Sequence, residues 1–128
     1  MPAIAATDVT YTQRSNPQDG HRRIGGFRRM RTRVQFGNAS LTYPAGGVPL
    51  TAASLGCPNV VNSLVVVGQV VAAGDENVHW RWNGSTSAPK LFGAAIDATA
   101  ASTDEREHEL PTSYAPAAQD LEVEAEGW

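Results

Sequence analysis

Residues 29–36 read "RMRTRVQF", with Met30, Thr32, Val34 and Phe36 on one parity and Arg29, Arg31, Arg33 and Gln35 on the other. Strict alternation over eight residues marks a half-buried β-strand, because successive side chains of a strand point to opposite faces. A helix would need its apolar residues near a 3.6 spacing. The wider stretch "HRRIGGFRRMRTRVQF", residues 21–36, carries six of the nine arginines in the chain. It therefore poses a second question: does this basic face meet phosphate, or carboxylates on another piece of protein?

Two later segments alternate in the same way. In "DLEVEAEGW", residues 120–128, Leu121, Val123 and Ala125 oppose Glu122, Glu124 and Glu126. In "EREHEL", residues 105–110, Glu105, Glu107 and Glu109 oppose Arg106, His108 and Leu110. Alternate residues on one strand face stand about 6.6–7 Å apart. Arg29, Arg31 and Arg33 form one ladder of charge, and each glutamate trio forms another. Alone, each ladder repels itself; side by side, an arginine and a glutamate ladder satisfy one another. The arginine strand is thus expected against a glutamate strand, within the domain or across a subunit contact. Bidentate geometry explains the use of arginine with Lys90 as the single lysine. Arg29, Arg31, Arg33, Glu122, Glu124, Glu126 and Trp128 are the candidate protein–protein contact residues. Two other readings are solvated edge strands whose charges discourage aggregation, and a single-stranded nucleic-acid surface over residues 22–33. The latter would interleave aromatic and basic residues, and Phe27 is the only aromatic on the arginine side.

The rest of the chain reads as strands and turns. Its 128 residues suit one domain, and 18% charged residues are too few for charge-driven disorder. Twelve glycines and eight prolines favour turns over long helices. Residues 5–13 form a short strand or a reaching arm, and 15–21 a turn. Residues 60–71, "VVNSLVVVGQVV", are β-branched and nearly all apolar, which suits a strand buried on both faces or one bent near Gly68. Residues 72–77 make a turn. Val78, Trp80 and Trp82 alternate with His79 and Arg81, and "NGSTSAP", 83–89, is a hairpin loop leading to a partner strand at 90–96. Residues 97–104 read as a loop. Thr51 can cap one helical turn over 52–55, with Gly56 as its stop. The fold class is all-β: a jelly-roll-like sandwich or barrel of seven to eight short antiparallel strands, with one helical turn near 51–55. Residues 1–20 are an N-terminal arm or first strand, and 21–128 a single β-sandwich domain.

Several function classes lose support. Cys57 is the lone cysteine, so no internal disulfide or cysteine cluster forms. His21, His79 and His108 lack ligand spacing, and no metal or other cofactor is expected. No apolar run approaches the ~18–20 residues of a membrane span, and "MPAIAATDVT" does not read as a signal peptide. The chain has no GxSxG, GxxxxGK[ST] or GxGxxG motif, and an enzyme is not expected. "GDENVHW", 74–80, groups Asp75, Glu76 and His79, and reads as a turn before a strand. Charge is unevenly spread. Residues 1–40 hold seven arginines against Asp8 and Asp19, a net +5, while residues 100–128 hold Arg106 against eight acids, a net −7. Such polarity suits protein–protein contacts better than phosphate binding.

"LTYPAGGVPLTAASLG", residues 41–56, combines a leading strand, a Tyr-Pro-x-Gly-Gly-x-Pro-Leu loop and a short helical turn ending in Leu-Gly. Together with the Val-rich segment 63–67, the aromatic segment 78–82, "KLF" at 90–92 and a last strand ending near Gly127, it resembles a family of small tailed-bacteriophage virion proteins, the capsid decoration or cement proteins. The resemblance is closest over 41–56 and looser over 27–128. The arginine-rich first strand and the acidic, tryptophan-terminated end depart from the family pattern. The resemblance implies a bacteriophage virion structural protein, made in the host bacterial cytoplasm and bound to the outer capsid surface. Its partners would be the major capsid protein and itself, as a homo-oligomer (trimer or dimer) at a symmetry axis. There it would stabilise the shell against the pressure of packaged DNA, without direct nucleic-acid or membrane contact. A tail, neck or fibre component is the alternative. Independently of the family, Pro44 and Pro49 stiffen the loop, Gly46 and Gly47 permit a reversal, and Leu50 and Leu55 are delivered to the core.

Overall fold

The computed structural model describes residues 2–13, 21–24, 27–57, 59–70, 78–96 and 107–128. The turn readings at 15–20 and 72–77, the loop at 97–104, and Asp75, Glu76, Glu105 and Arg106 lie outside the described residues. Nine strands are present among the described residues: β1 (Thr10–Gln13), β2 (His21–Ile24), β3 (Phe27–Phe36), β4 (Val48–Pro49), β5 (Val61–Val70), β6 (Val78–Trp82), β7 (Lys90–Ile96), β8 (Glu107–Glu109) and β9 (Gln119–Gly127). They form two antiparallel sheets. The larger runs β1-β3-β9-β5, with β2 also paired to β3; the smaller runs β4-β7-β6, with β8 also paired to β7. The molecule is an all-β sandwich rather than a closed barrel. Regular helix among the described residues is limited to two 3-10 turns, Ala6–Asp8 and Ala53–Leu55.

Alternation decides which face of each strand is buried. On β3, Met30, Thr32, Val34 and Phe36 are buried, and across from them on β9 so are Leu121, Val123 and Ala125. The small sheet contributes Val48, Val78, Trp80, Leu91 and Ala95 to the same core. Two contacts tie the layers together. Trp80 Nε1–H donates to the buried Gln119 Oε1 at 3.1 Å, and Gln119 Nε2–H donates to the Ala117 carbonyl at 3.0 Å. The Phe36 and Trp80 rings meet edge to face, with centroids 4.8 Å apart. The Trp80 ring and Leu110 lie over Gly93, where a Cβ would come within 2.7 Å of both.

The N-terminal residues belong to the sandwich. Ile4 is buried and its N–H donates to the Thr42 carbonyl at 2.9 Å, while β1 pairs with residues 32–35 of β3. The helical turn expected at 52–55 is a 3-10 turn over Ala53–Leu55, with Ala52 rather than Thr51 at its N-cap and no side-chain cap, and Gly56 closes it at φ 89°. In the "YPAGGVPL" loop, Gly46 and Gly47 take φ 86° and 122°, and Leu50 and Leu55 are buried.

For β5 the structure chooses between the two readings. The strand is not buried on both faces, because Val65, Val67 and Val70 are exposed. It is bulged instead, with a register shift between Val66 and Gly68 and another between Val61 and Ser63. The apolar run reflects a bulged edge strand rather than a central one.

One buried hydroxyl goes against this core. Thr32 is fully buried on β3, and its Oγ1 has no hydrogen-bond partner. A buried, unsatisfied polar group costs about 1–3 kcal/mol. Thr32→Val replaces that hydroxyl by a methyl in the same shape, and should raise unfolding stability by about 1 kcal/mol in urea titration. A loss of stability would mean the hydroxyl is satisfied in solution.

Candidate protein-contact face

The outer face of the large sheet gathers most of the residues singled out from sequence. β3 and β9 are adjacent and antiparallel, with Arg29 opposite Glu126, Arg31 opposite Glu124 and Arg33 opposite Glu122. The arginine ladder therefore lies against a glutamate ladder, and within the same domain. Of the other acidic trio, Glu107 and Glu109 belong to β8 on the small sheet, and Glu105 lies outside the described residues.

The side chains interlock diagonally as well as directly. Arg29 Nε–H donates to Glu126 Oε1 at 2.7 Å, and its Nη2 also contacts that oxygen. Arg29 Nε lies 3.2 Å from Glu124 Oε1, and Arg31 Nη2 lies 3.4 Å from Glu124 Oε2. Arg33 turns away from its register partner and grips Asp120 with two donors, Nε–H at 2.8 Å to Oδ1 and Nη2 to Oδ2. The hydrogen bond and charge of Glu126 push the Arg29 guanidinium above its ordinary value, and Asp120 does the same for Arg33. Asp120 was missed in the sequence reading, although it continues the parity of Glu122, Glu124 and Glu126 by one rung.

This pairing changes the meaning of the uneven charge along the chain. Basic front and acidic back are poles in sequence, but β3 lies beside β9, so the described opposite charges sit side by side and cancel locally. Next to the charged rows runs β5, whose Val65 faces Glu124 and whose Val70 faces Asp120 in register. Gly68 leaves a recess of about 320 Å³ between them, lined by Arg33, Gln69, Val70, Asp120 and Glu122. Trp128 sits at the far end of β9. Its carbonyl accepts from the N–H groups of Asn59 (2.8 Å) and Val60 (3.2 Å), and its side chain is exposed. The face thus presents paired charges of both signs beside a strip of apolar side chains.

The "YPAGGVPL" loop lies against the other sheet and is held by one carboxylate. Glu109 Oε1 accepts from the Tyr43 hydroxyl at 3.0 Å and from Gly46 N–H at 2.6 Å. The same Tyr43 oxygen accepts from Gly93 N–H at 3.2 Å. Glu109, read from sequence as a rung of a charge ladder, is instead the clamp of this loop. His79 and His108 are exposed, and no group of three or more potential metal ligands occurs among the described residues. No helix among the described residues is long and apolar enough to cross a membrane. No protein-family model, curated protein or solved structure matches the chain.

Two outcomes are expected here. Arg29→Glu alone should lower the urea midpoint by setting like charges beside Glu124 and Glu126. The swap Arg29→Glu with Glu126→Arg should recover most of the loss, and both effects should shrink in high salt. The second concerns pH. Burial, foremost, pushes the Tyr43 phenol from 10.0 up to about 12. The unfolded chain thus gives up this proton at a lower pH than the folded one. The resulting stability is complete below the unfolded value and disappears as pH rises through the folded one. Tyr43→Phe should start from lower stability, since the Gly93 N–H loses its acceptor, but lose less between pH 10 and 12. Chemical denaturation at stepped pH measures both.

Proposed function

We propose that this protein is a bacteriophage virion component that binds the outer surface of an assembled capsid and stabilises it against internal DNA pressure. The observation that carries the reading is the pairing of Arg29, Arg31 and Arg33 with Glu126, Glu124 and Asp120. Guanidiniums held by carboxylates of their own domain are not presented to a phosphate backbone, and a face carrying both signs repels DNA as much as it attracts it. The same pattern suits a protein surface, where matched charges fix orientation and reject wrong partners. A disulfide-free sandwich is also suited to assembly under reducing conditions. On a capsid many copies act together, so modest single contacts add up. The similarity of "LTYPAGGVPLTAASLG" to decoration proteins supplies the identity of the partner, the major capsid protein.

The test is co-sedimentation with mature capsids, alongside DNA binding at several salt concentrations. The expected result is saturable capsid binding, weak DNA binding, and particles that lose DNA more readily when the protein is deleted. Tight DNA binding with a steep salt slope would overturn the reading. A sound capsid lacking its tail would assign the protein to the tail, neck or fibre instead.

A further inference from the structure

We propose that β5 is the pairing edge of a two-fold homodimer, in which the β5 strands of two copies align antiparallel and join their large sheets into one. Four observations lead there. β5 ends the large sheet, with β9 on one side and no strand among the described residues on the other, where its first residue is held, Val61 N–H donating to the Thr86 carbonyl at 3.2 Å. Its sequence, "VNSLVVVGQV", contains no charge and no proline over ten residues. Proteins guard a free edge with charges, prolines, short strands or bulges; β5 is ten residues long with no charge or proline, and its register shifts leave Ser63–Val66 regular between them, whereas the opposite side of the sheet ends in β1, four residues long.

The apolar exposure is concentrated at the same place. The exposed large hydrophobics among the described residues are Val65 at 54%, Val67 at 47%, Val70 at 69% and Trp128 at 49%. Three lie on β5, and the backbone of Trp128 is bonded to Val60 immediately before it. Both copies would bring the same strip to the axis, as an isologous contact requires, and β-branched residues facing one another across antiparallel strands pack favourably.

Charge selects a second copy as the occupant. The acidic row Glu122, Glu124 and Glu126 lies one strand in from the edge, on β9. In the dimer the two acidic rows are three strand spacings apart, about 14 Å. That exceeds the ~8 Å screening length at physiological salt, so like charges do not oppose the contact. A charged partner strand would find no counter-charge on β5. The bulge between Val66 and Gly68 confines regular pairing, so Ser63–Val66, the run between the two register shifts, is the segment we place across the axis.

The dimer does not depend on the capsid reading, and the two fail separately. Light scattering during size exclusion, over a wide range of protein concentration, should show a mass twice 13.6 kDa for the full chain. Val65→Lys and Val67→Lys should each raise the dissociation constant by about tenfold or more, the effect of setting like charges from the two copies near the axis in place of apolar contact. Thr12→Lys on the opposite edge should not. Amide exchange over 63–70 in the wild type should slow as concentration rises, which tests the edge even where a variant fails to fold. A monomer at every concentration, a trimer, a dimer indifferent to both lysines, or β5 exchange independent of concentration would each overturn the proposal. A monomer that still co-sediments with capsids would remove the dimer and leave the capsid role standing. A dimer that ignores capsids would do the reverse.

Discussion

The pairing of β3 with β9 is the constraint on which the rest of the sandwich depends. Nine consecutive register pairs, from Arg28 opposite Gly127 to Phe36 opposite Gln119, place Met30, Thr32, Val34, Phe36, Leu121, Val123 and Ala125 inward and Arg29, Arg31, Arg33, Glu122, Glu124 and Glu126 outward. A slip of one residue would turn one strand over, setting arginines or glutamates in the core. Burial and charge pairing therefore select the same register. The small sheet is anchored through β9, because Gln119 at its start receives the Trp80 indole N–H. β5 is anchored through it as well, along its length and at Trp128.

Gly127 shows how closely this framework is built. A Cβ there would come within 2.0 Å of the Val60 carbonyl and 3.1 Å of the buried Cys57 sulfur. The chain needs glycine where β9 runs against the backbone that leads into β5. The Tyr43–Glu109–Gly46 clamp plays a comparable part on the small sheet, adding three polar contacts to the apolar burial of the loop.

The large sheet's outer face combines two kinds of surface. Across β3 and β9 it is a mesh of salt bridges, largely solvated, whose value lies in orientation and discrimination more than in stability. Along β5 it is apolar and unguarded. A partner on the charged rows must match both signs in order, while a partner on the β5 edge needs an uncharged strand. One sheet can thus meet two partners, with the β5 edge left to a second copy.

The alternation of 29–36, of 78–82 and of 120–126 was legible in the sequence, as were the 3-10 turn before Gly56 and the hairpin at 83–89. Each rests on the period of two or on local turn chemistry, which neighbouring residues set among themselves. Which acidic strand would meet the arginines was not legible, since two glutamate trios had the same spacing and only chain topology separates them. The tertiary structure alone decided that Arg33 takes Asp120, that Glu109 clamps a loop, that Gln119 is buried beneath Trp80, and that Val65, Val67 and Val70 of β5 face solvent. Those outcomes depend on which segments lie side by side, a choice made by the burial of the whole core and written in no single stretch of the chain.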